Sequence, residues 1–151
     1  MEENLSTPTP NQNDRIMAAL AHITALLPLM GIIAPIVIWT TQKDKSEFVA
    51  FQALQAIVYQ LIMILAWFVG MGCYMVSFFG MFLTIPFAES SGPGPSDIVG
   101  VFIPFITMGA IFIGGAIFII YGIVAAVMIV RGNDFRYVVI GKWLERYMEK
   151  Q

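Results

Sequence analysis

The chain has 151 residues, 58% of them hydrophobic and 12% charged, and a mean hydropathy of +0.79, well above the roughly half-apolar, quarter-charged mix of soluble domains. That is a membrane composition, and a length of this order leaves room for only a few spans of about 20 residues each. A formal net charge of −2 offers no basic face for phosphates and argues against nucleic acid, while Cys73, the single cysteine, makes neither an internal disulfide nor a zinc site and reads as a small packing residue in an apolar run.

Residues 1–14, MEENLSTPTPNQND, are polar, acidic and too poor in apolar residues to fold, so a disordered tail is expected. The stretch lacks the basic start of a secretory signal and the arginine richness of a transit peptide, so the helix that follows is expected to be retained. The membrane domain is expected over residues 15–130, in three hydrophobic blocks.

The first block, Ile16 to Thr41, contains Pro28, Gly31 and Pro35. Each proline removes the amide that would bond the carbonyl four residues earlier, at Thr24 and Gly31, so a kinked or broken helix is expected. The freed carbonyls need a partner inside the bundle, and Thr24 is suitably placed to help. The second block, Phe48 to Phe87, would make about 60 Å of helix, twice the hydrocarbon thickness. It is either one span near Leu61 to Gly80 with extensions, or two short spans split around Gly70-Met71-Gly72. Next comes AESSGPGPSD, a turn-forming loop in which Ser96 or Asp97 could cap the next helix. The third block, Val101 to Val130, sums to roughly −5 to −10 kcal/mol of insertion free energy, with Pro104 setting either a late start or a kink.

Charge placement sets the expected topology. Lys43 and Lys45 lie in the first connection, and Arg131, Arg136, Lys142, Arg146 and Lys150 follow the third block, whereas Ala88 to Gly100 has no Lys or Arg. The positive-inside rule puts both basic regions in the cytoplasm, which requires an even number of crossings between them. Three spans satisfy it, with the N-terminus outside and the C-terminus cytoplasmic, although Arg15 opposes an outside N-terminus. After the third block, residues 131–151 place Ile140, Trp143, Leu144 and Tyr147 at helical spacing opposite Arg136, Lys142, Glu145, Arg146 and Glu149. An amphipathic interfacial helix is expected, with Trp143 and Tyr147 at the headgroups.

Few residues offer chemistry. His22, the only histidine, lies about 9 Å into the apolar segment and is either a neutral imidazole bonded to another helix or part of a proton relay; no Asp or Glu inside a span could pass the proton on. Gln52, Gln55 and Tyr59 share one helical face and would be interhelical glue or the lining of a polar groove; Gln60 fits either arrangement poorly. With Thr24 and His22 they form a candidate intramembrane polar cluster. Ala110 and Gly114, then Gly115, Gly122 and Ala126, form small-residue rows suited to close helix packing, within one chain or between copies. No metal cluster, nucleophile with a base or phosphate loop can be found, so neither an enzyme nor a cofactor is expected.

The stretches DRIMAALAHITALL, IIAPIVIWTTQKDKSEFVAFQALQA and RGNDFRYVVIGKW resemble the bacterial small membrane proteins named after the twenty-kilodalton subunit of the chloroplast inner-envelope import translocon (Tic), a broad family that includes the magnetosome proteins MamF and MmsF. The resemblance runs from about Asp14 to Trp143. Gln52 and Val58 stand where the family pattern has histidine and asparagine, and Val138 stands where it has proline. The resemblance implies a small helical membrane protein; the plant relatives, associated with protein import, imply four spans.

The fold expected is thus an all-α integral membrane protein, a small bundle of about three transmembrane helices, or four, with a C-terminal amphipathic helix. The leading function is a non-catalytic multi-pass protein of the inner membrane that acts through helix packing and protein partners or copies of itself, as a translocon-like or membrane-organising subunit. A small transporter or channel subunit is the alternative. A mineral-organising role like that of the magnetosome proteins comes third, since only Glu89 and Asp97 lie in the connection before the third block.

Overall fold

The computed structural model describes residues 9–27, 29–91, 94–138 and 140–148, without the side chains of residues 84–91, 96, 97, 143, 145, 147 and 148. The chain is built of helices: α1 (Gln12–Ile23), a 3-10 turn (Thr24–Leu26), α2 (Ile33–Gln42), α3 (Glu47–Ser91), α4 (Pro95–Val130) and α5 (Ile140–Met148). They divide into two compact units, Met1–Leu61 with Tyr121–Gln151, and Ile62–Ile120.

In the first unit, α1 starts earlier than the expected tail boundary at residue 14. Asn11 accepts the Asp14 amide at 2.8 Å and the Asp14 carboxylate accepts the Asn11 amide at 3.1 Å, a capping box that satisfies two otherwise orphaned donors. Residues Gln12 to Asp14 are therefore helix.

The first block is broken, as its prolines and glycine imply, and it does not run through as a span. The Thr24 carbonyl accepts the Leu27 amide at 2.9 Å, and the Leu27 carbonyl accepts the Gly31 amide at 2.7 Å. Pro28 itself lies outside the described residues. Pro35 falls in the first turn of α2, where an amide has no intrahelical partner to lose. The chain turns back on itself, and alanines make the close packing feasible: Ala21 of α1 meets Ala53 and Ala56 of α3, with Ile38 and Trp39 of α2 against them.

Two observations set how deep this folded-back pair reaches along α4. Arg15, near the start of α1, donates to the Ile129 carbonyl at 3.5 Å and pairs with Asp134 at 3.8 Å, so the start of α1 lies beside the end of α4. Ala25, in the turn, lies where a Cβ on Gly122 would stand 2.9 Å away. Gly122 precedes Val130 by about 12 Å of helix, less than half the hydrocarbon thickness of about 30 Å.

The end of α4 is closed by a Schellman motif. Gly132 takes φ +94°, its amide bonds the Ile129 carbonyl and the Asn133 amide bonds the Met128 carbonyl, both at 3.1 Å. Glycine is the residue that adopts this left-handed position without a Cβ clash. The turn sends Asp134 to Val138 back into the unit as non-helical chain, with Phe135 and Tyr137 buried. The C-terminal helix is thus shorter than the expected 131–151 stretch. Ile140 and Leu144 of α5 are buried and Lys142 and Arg146 exposed; the side chains of Trp143 and Tyr147, expected at the membrane interface, lie outside the described residues.

The second unit consists of the later part of α3 and the earlier part of α4. Helix α3 runs unbroken through Gly70 and Gly72, which removes the reading of two short spans. A Cβ on Gly70 would stand 3.0 Å from the Ile111 side chain, whereas Gly72 has open space around it. Helix α4 begins at Pro95, with Pro at the first helical position, so Ser96 and Asp97 lie within its first turn and neither is the cap. Pro104 is accommodated inside the helix. Among the described residues two helices, α3 and α4, are long and apolar enough to cross a membrane. At 45 and 36 residues they measure about 67 and 54 Å, so a bilayer covers only part of each.

Candidate functional site

The buried polar side chains His22, Gln52, Gln55 and Gln60 gather in the first unit, where α1 and α3 meet the segment after α4. Gln52 is the hub. Its Nε2 donates to the Phe135 carbonyl at 2.9 Å, which fixes the amide's orientation and leaves Oε1 as acceptor. That oxygen lies 3.2 Å from His22 Nε2, so Nε2 carries the imidazole proton, and it also accepts from Gln55 Nε2 at 3.5 Å. His22 Nδ1 is then an acceptor, and the Tyr137 hydroxyl, 3.1 Å away, donates to it. Gln55 Oε1 accepts the Tyr137 backbone amide at 3.0 Å. A ring of bonds thus runs from α1 through α3 to the chain beyond Gly132.

Aromatic rings close over it. Tyr59 stacks on Tyr137 with centroids 4.3 Å apart and planes 11° from parallel. Tyr121 meets Tyr137 edge-on at 5.3 Å, and Phe135 stands perpendicular to Tyr137 at 4.9 Å. Such offset and edge contacts add about 0.5 to 1.5 kcal/mol each beyond burial. At the rim, the Arg15 guanidinium lies over Phe48 and that of Arg136 over Phe51, at 5.5 and 6.0 Å.

A second, smaller set holds the turn between α1 and α2. Gln60 Nε2 donates to Thr24 Oγ1 at 3.2 Å and approaches the Ala21 carbonyl at 3.5 Å, while Thr24 Oγ1 donates to that carbonyl at 2.9 Å. Gln60, which suited neither arrangement in the sequence, is therefore Thr24's partner. The structure brings His22 to Gln52 directly, to Gln55 through Gln52, and to Tyr59 through the Tyr137 ring. Tyr137 itself was missed: it sits in a polar, basic stretch with no helical period. The available signals were that the stretch begins with glycine and asparagine, the residues of a sharp return, and that it is one of the three that carry the family resemblance.

The small-residue rows divide. Gly122 and Ala126 pack within the chain, Gly122 against Ala25 and the His22 carbonyl. Gly114 and Gly115 have nothing within 4 Å of a Cβ position, and Ala110 is exposed.

Both imidazole nitrogens are engaged, and no buried side-chain nitrogen or oxygen among the described residues lacks a partner. The cluster acts as a clasp that pins residues 134–138 onto α1 and α3. His22 and Tyr137 both lie outside the two long helices. Burial pushes the His22 imidazole down to about 4, against a smaller opposing effect of the Gln52 bond. Burial, reinforced by Tyr59 and Tyr121, pushes the Tyr137 phenol above its ordinary value. Because the folded imidazole titrates below the ordinary value of 6.5, the unfolded chain binds the proton first. The stability from neutral His22 is fully present above about pH 6.5 and is lost as pH falls toward 4. The thermal midpoint of the protein in detergent is expected to drop over that window, and His22→Gln to flatten the drop; parallel curves for the two proteins would assign the titration to another group.

A family model described as the magnetosome magnetite crystal formation protein family, MamF_MmsF, matches residues 13–144. The matched stretch contains every member of the clasp, from His22 to Tyr137. No curated protein and no solved structure matches the chain. The match supports the magnetosome side of the resemblance seen in the sequence, and nothing in these comparisons supports the import-translocon side.

Proposed function

We propose that this chain, which belongs to the magnetosome magnetite crystal formation protein family, acts in the membrane around a growing crystal as a non-catalytic organising protein. The family match over residues 13–144 carries this reading, and it lifts the mineral-organising role from third place to first. The translocon and transporter roles have no comparable support: His22, Gln52 and Gln55 are bonded to one another and to the chain beyond α4, and they line no path.

In this reading α3 and α4 each cross the membrane once, and α1 and α2 enter it together and return. The contact of Arg15 with Ile129 and Asp134 favours this arrangement over three crossings. All eight Lys and Arg residues lie in the stretches 1–61 and 121–151 and none in 62–120, so the positive-inside rule places both chain ends in the cytoplasm. The connection with Glu89 and Asp97 then faces the enclosed compartment. With two carboxylates, it offers little to bind iron by itself, and the protein works through packing against lipid, other proteins or its own copies. Ala110, Gly114 and Gly115 are among the residues open to such helix contacts.

A fluorescent protein that folds only in the cytoplasm is expected to glow when fused at either terminus, and a phosphatase active only outside it to work after Ser91. Phosphatase activity at the N-terminus would restore the three-crossing arrangement. For function, deletion in a magnetite-forming cell should change crystal size or shape in electron micrographs, with rescue by the full chain. Unchanged crystals would overturn the proposal.

A further inference from the structure

We propose that the groove between α1 and the last turns of α4 seats one acyl chain of an anionic phospholipid, whose phosphate is held by Arg131. The groove has a volume of about 390 Å³ and lies wholly within the first unit. Its floor is Ala19 and Ala126, both buried, and its walls include Leu20, Val127 and Val130, all more than two-fifths exposed. The two alanines are what open it, since any longer side chain there would fill the space. The lining is apolar throughout, so Arg131, at its end, borders it with the aliphatic stem and not with the guanidinium.

Charge complementarity names the occupant. Arg131 directly follows Val130, the last apolar residue of a helix read as crossing the membrane, so its guanidinium stands where hydrocarbon gives way to headgroups. Among the described residues it makes no ion pair. Of the described acids on α1 and directly after α4, Asp134 pairs with Arg15, and Asp14 bonds the Asn11 amide from the face of α1 opposite Ile16, Leu20 and Ile23, by 100° per residue. A planar guanidinium binds phosphate in a forked pair of hydrogen bonds. A zwitterionic headgroup brings its own ammonium to that phosphate, so the anionic headgroup is preferred. The inference rests on α4 crossing the membrane, which the reporter fusions test separately.

The full-length protein, in detergent mixed with phosphatidylglycerol or phosphatidylcholine, can be examined by native mass spectrometry for retained lipid. One phosphatidylglycerol is expected to stay bound more strongly than phosphatidylcholine. Arg131→Gln, an exposed site whose change leaves the fold intact, should cut phosphatidylglycerol retention about fivefold, the contribution of one arginine near an anionic surface, and leave phosphatidylcholine unchanged. Ala19→Leu, which fills the floor, should lower retention of both lipids. Equal retention of the two lipids by the unmodified protein, or unaltered phosphatidylglycerol binding by Arg131→Gln, would overturn the proposal even if Ala19→Leu failed to fold.

Discussion

Replacing Gln52 with leucine is expected to cost the folded protein about 2 to 4 kcal/mol and to free the chain beyond Gly132. The two side chains are close in volume, so the loss is of bonding and not of packing. Leucine leaves the His22 Nε2 proton, the Phe135 carbonyl and one Gln55 amide proton without the partners they have now. A buried polar group left unpaired costs about 1 to 3 kcal/mol, and relaxation around three such groups keeps the total below their sum. Residues 134–138 are held largely through this hub, so trypsin cleavage after Arg136 should accelerate while the thermal midpoint in detergent falls. The double variant with His22→Leu removes one of the stranded groups and should recover part of the loss. Membrane hydrogen-bond cycles average about 0.6 kcal/mol, so the recovery is the small term and the cleavage rate the large one. Strict additivity together with an unchanged cleavage rate would show that Gln52 does not hold the clasp.

How much of this was visible in the sequence depended on whether the signal was local. The end of α4 at Val130, the break in the first block and the meeting of His22 with Gln52 all followed from residue type and helical spacing. What escaped was set by tertiary return. The first block looked long enough to cross because its apolar residues are continuous across Pro28 and Gly31, and it takes the packing of α2 on α1 and the contact of Arg15 with the end of α4 to show that it folds back. Tyr137 escaped for the same reason, since nothing in FRYVV says that a Schellman turn will send it under α1. The glycines at 70 and 72 suggested a break in α3 that did not occur. Helix interiors tolerate glycine at about 1 kcal/mol each, which a long apolar helix readily absorbs, whereas proline at Pro35 and Pro95 did coincide with helix starts. The alanines of α1 and the turn after it, Ala18, Ala21 and Ala25, all buried, went unmarked beside the glycines of the third block, yet Ala25 is what Gly122 packs against.

Gly31 is expected to be the least replaceable residue of the folded-back pair. Its amide donates to the Leu27 carbonyl at 2.7 Å, and the chain there passes so close to itself that an added Cβ would overlap the Thr24 carbonyl oxygen and lie 2.7 Å from that of Leu27. Both obstacles are backbone atoms, so no rotamer change relieves them and the turn itself must open. Opening it separates Thr24 from Gln60 and Ala25 from Gly122, the contacts that hold the tip of the pair. Gly31→Ala should therefore cost about 2 to 4 kcal/mol, at the upper end of single-residue effects, or leave no monodisperse protein in detergent. Two residues earlier the demand is reversed. Leu29 holds φ 69°, a left-handed conformation that costs a side-chain-bearing residue roughly 1 to 2 kcal/mol, and it is 47% exposed, so Leu29→Gly should raise the thermal midpoint or leave it unchanged. The two variants differ by one methyl gained and one isobutyl lost within the same turn. Opposite shifts in midpoint would establish that the tightness is at Gly31 and the strain at Leu29, while a Gly31→Ala protein as stable as the parent would mean that α1 and α2 do not fold back as tightly as this geometry requires.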